Sequence, residues 1–357
     1  MAVFFRFTCL WKTHATFTYD APCTTSIIAI YLFFFFLHDC IFYNHLHIFM
    51  LKQERPHVSK RKKDLMGTLA GHLVPGSALA LLGLWHIINT LKSYHFKGPT
   101  HFRSSFWHPF ISPVSKLAYM ELLLIIFFSI FSIIMQVLDY PLFSFTFKFN
   151  NFEHATMFLH LLIYSGFTLF SELTQKYETL FEVSGILAAS VFGQELFLLY
   201  YHSTDHAGLE GHYHWLMQLI VFISLLSALS VTASISSFAS SLVLSISVAF
   251  QGFWFINMGF VLWVPEFVPK GCTMRLGHGG DSDMHGAVAC GTHEAWLRAR
   301  ALANLQFSWI LAGIMIFVGC VSLFFPKKIG HRSQSVDYER LHSRVAEVPL
   351  SVVGFKH

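Results

Sequence analysis

Charge is what this chain has least of. Asp, Glu, Lys and Arg make up 12% of its 357 residues, against 54% that are hydrophobic, whereas a soluble domain carries roughly 25% charge. Its mean hydropathy is +0.53. From Trp215 to Pro265 there is no Asp, Glu, Lys, Arg or His. Such a chain would not dissolve alone. No phosphate-cradling glycine loop, GxGxxG run or nucleophile elbow occurs, so nothing supports nucleotide binding or soluble-type hydrolase chemistry. Nucleic-acid binding is not indicated either, because the pI near 8.7 reflects Lys and Arg flanking a membrane. Six cysteines are too few and too scattered for a disulfide scaffold.

Long apolar runs fill the space that charge leaves. Crossing the hydrocarbon takes about 20 apolar residues, and a backbone there satisfies its polar groups internally, as a helix. Seven runs qualify: 73–91, 117–138, 152–173, 180–202, 212–234, 240–264 and 302–325. The Ser-rich stretch Ser234 to Ser241 breaks the longest one into a helical hairpin with a tight turn. The fold class expected is therefore all-α, a polytopic membrane helical bundle of seven core transmembrane helices plus an extra N-terminal apolar segment. That segment, residues 24–51, is open to three readings: an eighth helix, a signal-like anchor, or an upstream extension outside the working protein. Met66 begins the stretch MGTLAGHLVPG, which reads like a natural amino terminus. The division expected is a 1–65 extension, a 66–325 seven-helix membrane domain and a 326–357 polar, basic tail without a retention signal.

Positive charge prefers the cytoplasm. From Met66 onward one face carries Lys148, Lys270, Arg275, Arg298 and Arg300, while the other carries eleven Lys or Arg, including Lys92, Lys97, Arg103, Lys116, Lys176 and the tail. This predicts a cytoplasmic carboxyl terminus. Residues 52–63 add six basic side chains to the first face and bring the count to a tie, which sets the extension at odds with the core. The bilayer is the one partner expected, in the endomembrane system or the plasma membrane; a homo-oligomer or a membrane-protein partner is left open.

Helix parity places a set of polar residues at one common end. His72 opens the first helix, with Pro75 suited to its first turn. His154 opens the third, Glu195 and His202 close the fourth, and the following loop adds His206 and Glu210 before His214 opens the fifth. Glu195 and His202, seven residues apart, share a helix face with Glu195 roughly 10 Å deeper. A carboxylate inside a membrane helix is expensive and normally faces the bundle interior with a partner, so Glu195 is the candidate acid/base. His72, His154, His202, His206, His214 and Glu210 are candidate metal ligands, because imidazole with carboxylate is a set that zinc and related ions take. Haem between two axial histidines is the less favoured cofactor, and a proton or cation relay through Glu195 is a third chemistry.

The plainer readings stand beside these. The chain has 22 histidines, and an interfacial His is more often an anchor or a hydrogen-bond partner than a ligand. His95, His101 and His108 fall in the opposite-side loop, where no cluster is expected. Glu121 reads as an interfacial charge, Glu172 as solvated, and the amides and aromatics from Gln251 to Trp263 and from Gln306 to Trp309 mainly as packing. Cys272 and Cys290 bracket the loop between the last two helices, on the non-cytoplasmic side where thiols oxidise, and are the disulfide candidate. A metal clip with His278, His285 and His293 competes, without CxxC or HxxxH spacing to support it.

GHLVPG at Gly71, EHATMF at Glu153, QELFLLYYHSTDH from Gln194, HYHWLMQL from His212, FQGFWFINMGFVLWVP from Phe250 and the Gln306 to Trp309 stretch together resemble the transmembrane protein 45 family, in the plant branch often labelled viral-response proteins. The resemblance spans roughly Met66 to Phe325. It implies a multi-pass protein of about seven helices without an established biochemical activity. His72, His154, Glu195, His202, Glu210 and His214 match the family pattern, while His206 departs from the animal relatives, whose second loop histidine lies closer to the first. Two functions are therefore expected. One is a membrane protein with a His/Glu metal site at the extracytoplasmic rim. The other is a non-catalytic accessory, stress-response or transport component in which the same residues form a structural or proton-relay network.

Overall fold

The computed structural model describes residues 56–110, 118–137, 149–205, 208–274 and 288–325. The described residues form seven α-helices: α1 (Pro56–Lys97), α2 (Met120–Val137), α3 (Phe149–Leu173), α4 (Phe181–Asp205), α5 (Leu209–Ala233), α6 (Phe238–Trp263) and α7 (His293–Phe324). Each contains a stretch long and apolar enough to cross a membrane. The protein is thus an all-α, multi-pass membrane bundle. Its large apolar side chains point outward as well as inward, with Phe127, Phe131, Phe170, Ile186, Phe197 and Ile316 all exposed, as a lipid-facing surface requires.

Helix ends follow local chemistry. The α5–α6 turn is a run of serines, and Ser237 caps α6 by accepting a hydrogen bond from the Ser240 amide, which satisfies one of the orphan donors of a helix start. Pro265 stops α6. Thr292 caps α7 in the same way through Ala295, so α7 begins at His293, ahead of the expected 302. A larger departure concerns α1. Pro75 lies inside this 42-residue helix instead of in its first turn, because the polar stretch upstream of Met66 continues the same helix; membrane helices tolerate such a proline when neighbours cover the freed carbonyl.

Packing runs around the bundle in the order α1, α6, α5, α4, α3, α2, with α7 against α6, α5 and α1. The tightest seam joins α1 to α6. Gly76 and Gly83 face Phe255, Gly252 and Ala249, and a side chain at Gly83 or Gly252 would run into the backbone of Ala249 or Ala80. Small residues let membrane helices approach this closely. The two strands β1 (Cys272–Met274) and β2 (Val288–Cys290) pair antiparallel between α6 and α7, and a disulfide joins Cys272 to Cys290.

Candidate functional site

The bundle has two polar ends. One gathers the starts of α1, α3, α5 and α7 and is called here the His214 end; the other gathers the starts of α2, α4 and α6 and is called the Glu121 end.

Of the residues expected at the His214 end, His72 lies on α1, His154 on α3, and Glu210 and His214 on α5. Gly208, at φ 78°, caps α5 and turns the chain so that Glu210 and His214 stand on consecutive turns, both buried to 5% exposure. His214 Nδ1 lies 2.9 Å from the Glu210 backbone oxygen, a bond within one helix. His72 sits in α1 against α6, its ring centroid 6.1 Å from that of Phe255 and 6.4 Å from that of Trp263. His154 is half-buried on α3. The side chain of His202, and His206 altogether, lie outside the described residues, as do His278 and His285. Among the described residues, no three His, Cys, Asp or Glu side chains converge on a point that could hold a metal ion.

Beside this rim the α5, α6 and α7 helices are joined by amides and aromatics. Tyr213 stacks on Trp254 at 5.2 Å, and its hydroxyl donates to Gln306 Oε1 at 2.6 Å, an oxygen that also accepts from Asn257 Nδ2 at 3.2 Å. Deeper, Gln251 donates to Ser224 Oγ at 2.6 Å. These pairings hold helices together as intramembrane amides do.

Glu195 lies below the rim on α4. Four residues before buried Leu199, three after Phe192, which packs on the core, and seven after buried Ala188, it belongs to the inward stripe of its helix. Gln218 of α5 bonds the Leu199 carbonyl at 3.0 Å, which fixes that stripe against α5. The carboxyl has no hydrogen-bond or ion-pair partner among the described residues.

The best-connected carboxylate stands at the opposite end, where no cluster was expected. Glu121, 4% exposed, accepts three hydrogen bonds. Trp85 Nε1 donates to Oε2 at 2.8 Å, the His108 backbone amide donates to the same oxygen at 2.9 Å, and His86 Nε2 lies 2.8 Å from Oε1. Glu121 is therefore not an interfacial charge. It ties α1, α2 and the connection between them into one unit and closes the ring of helices. That connection folds back into the bundle: Ser104 bonds the Ile235 carbonyl at 2.7 Å, and Phe106 receives the Tyr164 hydroxyl at 2.7 Å. Trp107 donates to Glu172 Oε1 at 2.8 Å, so Glu172 is not simply solvated.

Burial holds the His108 imidazole well below its usual pKa, and the nearby His86 and Lys97 push the same way. Its ring meets His86 edge-on at 4.8 Å, and its Nε2 is buried without a hydrogen-bond partner among the described residues. Burial likewise pushes the Tyr177 hydroxyl up to about 12. The signals for this cluster were Trp85-His86 in the middle of an apolar run and a carboxylate in the first turn of the next helix.

A model described as a family of unknown function (DUF716) matches residues 181–323. That range runs from α4 to α7 and takes in Glu195, Glu210, His214 and the disulfide. It contains none of the Glu121 hub.

Proposed function

We propose that this protein is a membrane transport component in which Glu195 takes up and releases a proton or a small cation from within the bundle. The observation that carries the reading is a contrast between two membrane carboxylates. Glu121 is saturated by three donors and acts as a structural tie. Glu195 faces inward on α4 with no partner among the described residues, and an ionisable side chain placed so within a membrane marks an ion or proton pathway more often than a packing role. Glu210 and His214, buried on the same side of the bundle, form the approach to it.

The His214 end is read as the non-cytoplasmic one. Counted from Met66 onward, fewer basic residues flank it, and it carries the Cys272–Cys290 loop, which suits an oxidising compartment. The family of unknown function matched by α4 to α7 is compatible with the resemblance to the transmembrane protein 45 family, and we assign the chain there on the quoted motifs.

Purified protein in liposomes holding a pH-sensitive dye tests the reading. A membrane potential should drive proton entry well above that of protein-free vesicles, and Glu195→Gln should cut it at least ~10-fold, the scale on which general acid–base groups act. Exposed Glu182→Gln should not. Flux equal to empty vesicles, or unchanged in Glu195→Gln, rejects proton transport through this residue.

A further inference from the structure

The His214 end holds a cation in a fixed position. Arg300, half-buried on α7, lies over the Trp296 ring with its Cζ 4.6 Å from the centroid, and the His293 ring stacks on Trp296 at 5.7 Å. This stacking places the guanidinium but uses none of its N–H donors, and Arg300 has no hydrogen bond or ion pair among the described residues. One turn deeper on the same face of α7, Asn304 Oδ1 accepts from His212 Nε2 of α5 at 2.8 Å. The Asn304 Nδ2 donors are unused among the described residues. Below this pair the flanks of the two helices are apolar. Trp215, whose ring stacks on His212 at 6.0 Å, and Leu219 follow His212 by three and seven positions, while Leu311 and Met315 follow Asn304 by seven and eleven, so each set continues its own rim residue's face. All four side chains are 36–51% exposed.

We propose that Arg300 and Asn304 bind the phosphate of a phospholipid whose acyl chains lie along the adjoining flanks of α5 and α7. Depth supports this. No charged residue follows His214 on α5, and none occurs on α7 from Ala301 onward, so the hydrocarbon begins close to the His212 and Asn304 pair. Arg300 stands four residues farther out, about 6 Å at 1.5 Å per residue, and the headgroup layer between hydrocarbon and water is about 5–8 Å thick on each side. The guanidinium therefore sits at the level of the lipid phosphates. Its planar fork matches two phosphate oxygens at once, and the Asn304 amide adds a donor one turn below. A soluble anion would satisfy the donors but leave Trp215, Leu219, Leu311 and Met315 uncovered, whereas a lipid meets both parts of the surface. The site does not depend on proton uptake by Glu195.

Native mass spectrometry of the full chain in detergent, titrated with dioleoyl phosphatidylglycerol or with dioleoylglycerol, tests the site, because the two probes share their chains and differ in the phosphate headgroup. The phosphatidylglycerol adduct should form at least ~10-fold more tightly than the dioleoylglycerol one, and Arg300→Gln should lose at least ~10-fold, the scale of one hydrogen bond to a charged group. Arg298→Gln is the control: Arg298 is exposed and its Nη2 lies 3.7 Å from where a side chain at Gly271 would begin, on the strand side of α7, so binding should stay as in the native protein. Equal affinity for the two probes, binding unchanged in Arg300→Gln, or equal loss in Arg298→Gln and Arg300→Gln overturns the proposal. If Arg300→Gln does not elute as a single species, Leu219→Trp decides, since it leaves Arg300 intact and fills the flank where the chains lie: weaker binding supports the site and unchanged binding rejects it.

Discussion

His86 and Glu121 are 35 positions apart in sequence and 2.8 Å apart in space. Between them the chain leaves the membrane helix α1, folds back against α3 and the α5–α6 turn, and re-enters as α2. The bond therefore closes a ring of helices that has little else to join its first and last members.

Removing that carboxylate should open the ring. Glu121→Ala strands the Trp85 indole, the His86 imidazole and the His108 amide together, and a hydrogen bond to a charged group is worth about 1.5–3 kcal/mol. The melting temperature should fall sharply, and protease should cut first in the segment 98–119. Glu121→Gln, which keeps an acceptor oxygen, should lose less. Equal loss in both variants would mean that packing, and not the bonds, holds the connection.

The His108 imidazole gives the folded state a dependence on pH. Burial keeps its folded pKa well below the ordinary 6.5, so the unfolded chain binds the proton first as pH falls. Stability from this group is intact above the unfolded value and declines as pH drops below it toward the folded one. Thermal melts should fall on acidification below about 6.5, and His108→Gln should flatten that slope. A slope that survives the substitution assigns the effect elsewhere.

The α1–α6 seam has no room for a side chain at Gly252 or Gly83. Gly252→Ala should cost on the order of 1–3 kcal/mol through overpacking, with Gly252→Leu failing to accumulate as a folded species. The control is Gly313→Ala on α7, where a side chain would meet nothing within 4 Å. Comparable melting temperatures for Gly252→Ala and Gly313→Ala would show that the seam is looser than described.

Elemental analysis addresses the rim histidines. If Glu195 works as a proton or cation carrier without a resident metal, purified protein is expected to hold zinc and iron well below one per chain. A one-to-one metal content that drops in His214→Ala would restore ligation, with His202 and His206 as the natural additional ligands.

Much of the architecture was legible because membrane spans are written in one dimension. An apolar run of sufficient length is a helix wherever it packs, so seven runs became seven helices, and the serine turn at Ser234 to Ser241 fell between α5 and α6. Parity then placed His72, His154, Glu210 and His214 at one end without any tertiary information. It could not say whether they meet, since that depends on how each helix is rotated. Pro75 was misjudged because proline is usually a start signal, a rule for helices that cannot hide a lost bond among neighbours. The Glu121 hub escaped for a different reason. Parity treats a connection as lying outside the membrane, whereas residues 98–110 turn back in, which brings a loop histidine and a mid-helix Trp-His pair onto one carboxylate. Only the apolar Phe106, Trp107 and Phe110 in that loop hinted that it would be covered.

The central claim concerns Glu195, and infrared spectroscopy of the protein in bilayers reads its carboxyl directly. Difference spectra are recorded across a pH step for the native protein and for Glu195→Gln, with Glu182→Gln as the exposed control. The account predicts a carboxyl stretching band that responds to the step in the native protein and in Glu182→Gln but vanishes in Glu195→Gln. A band that persists unchanged in Glu195→Gln would show that this side chain exchanges no proton, and the transport reading would be contradicted at its source.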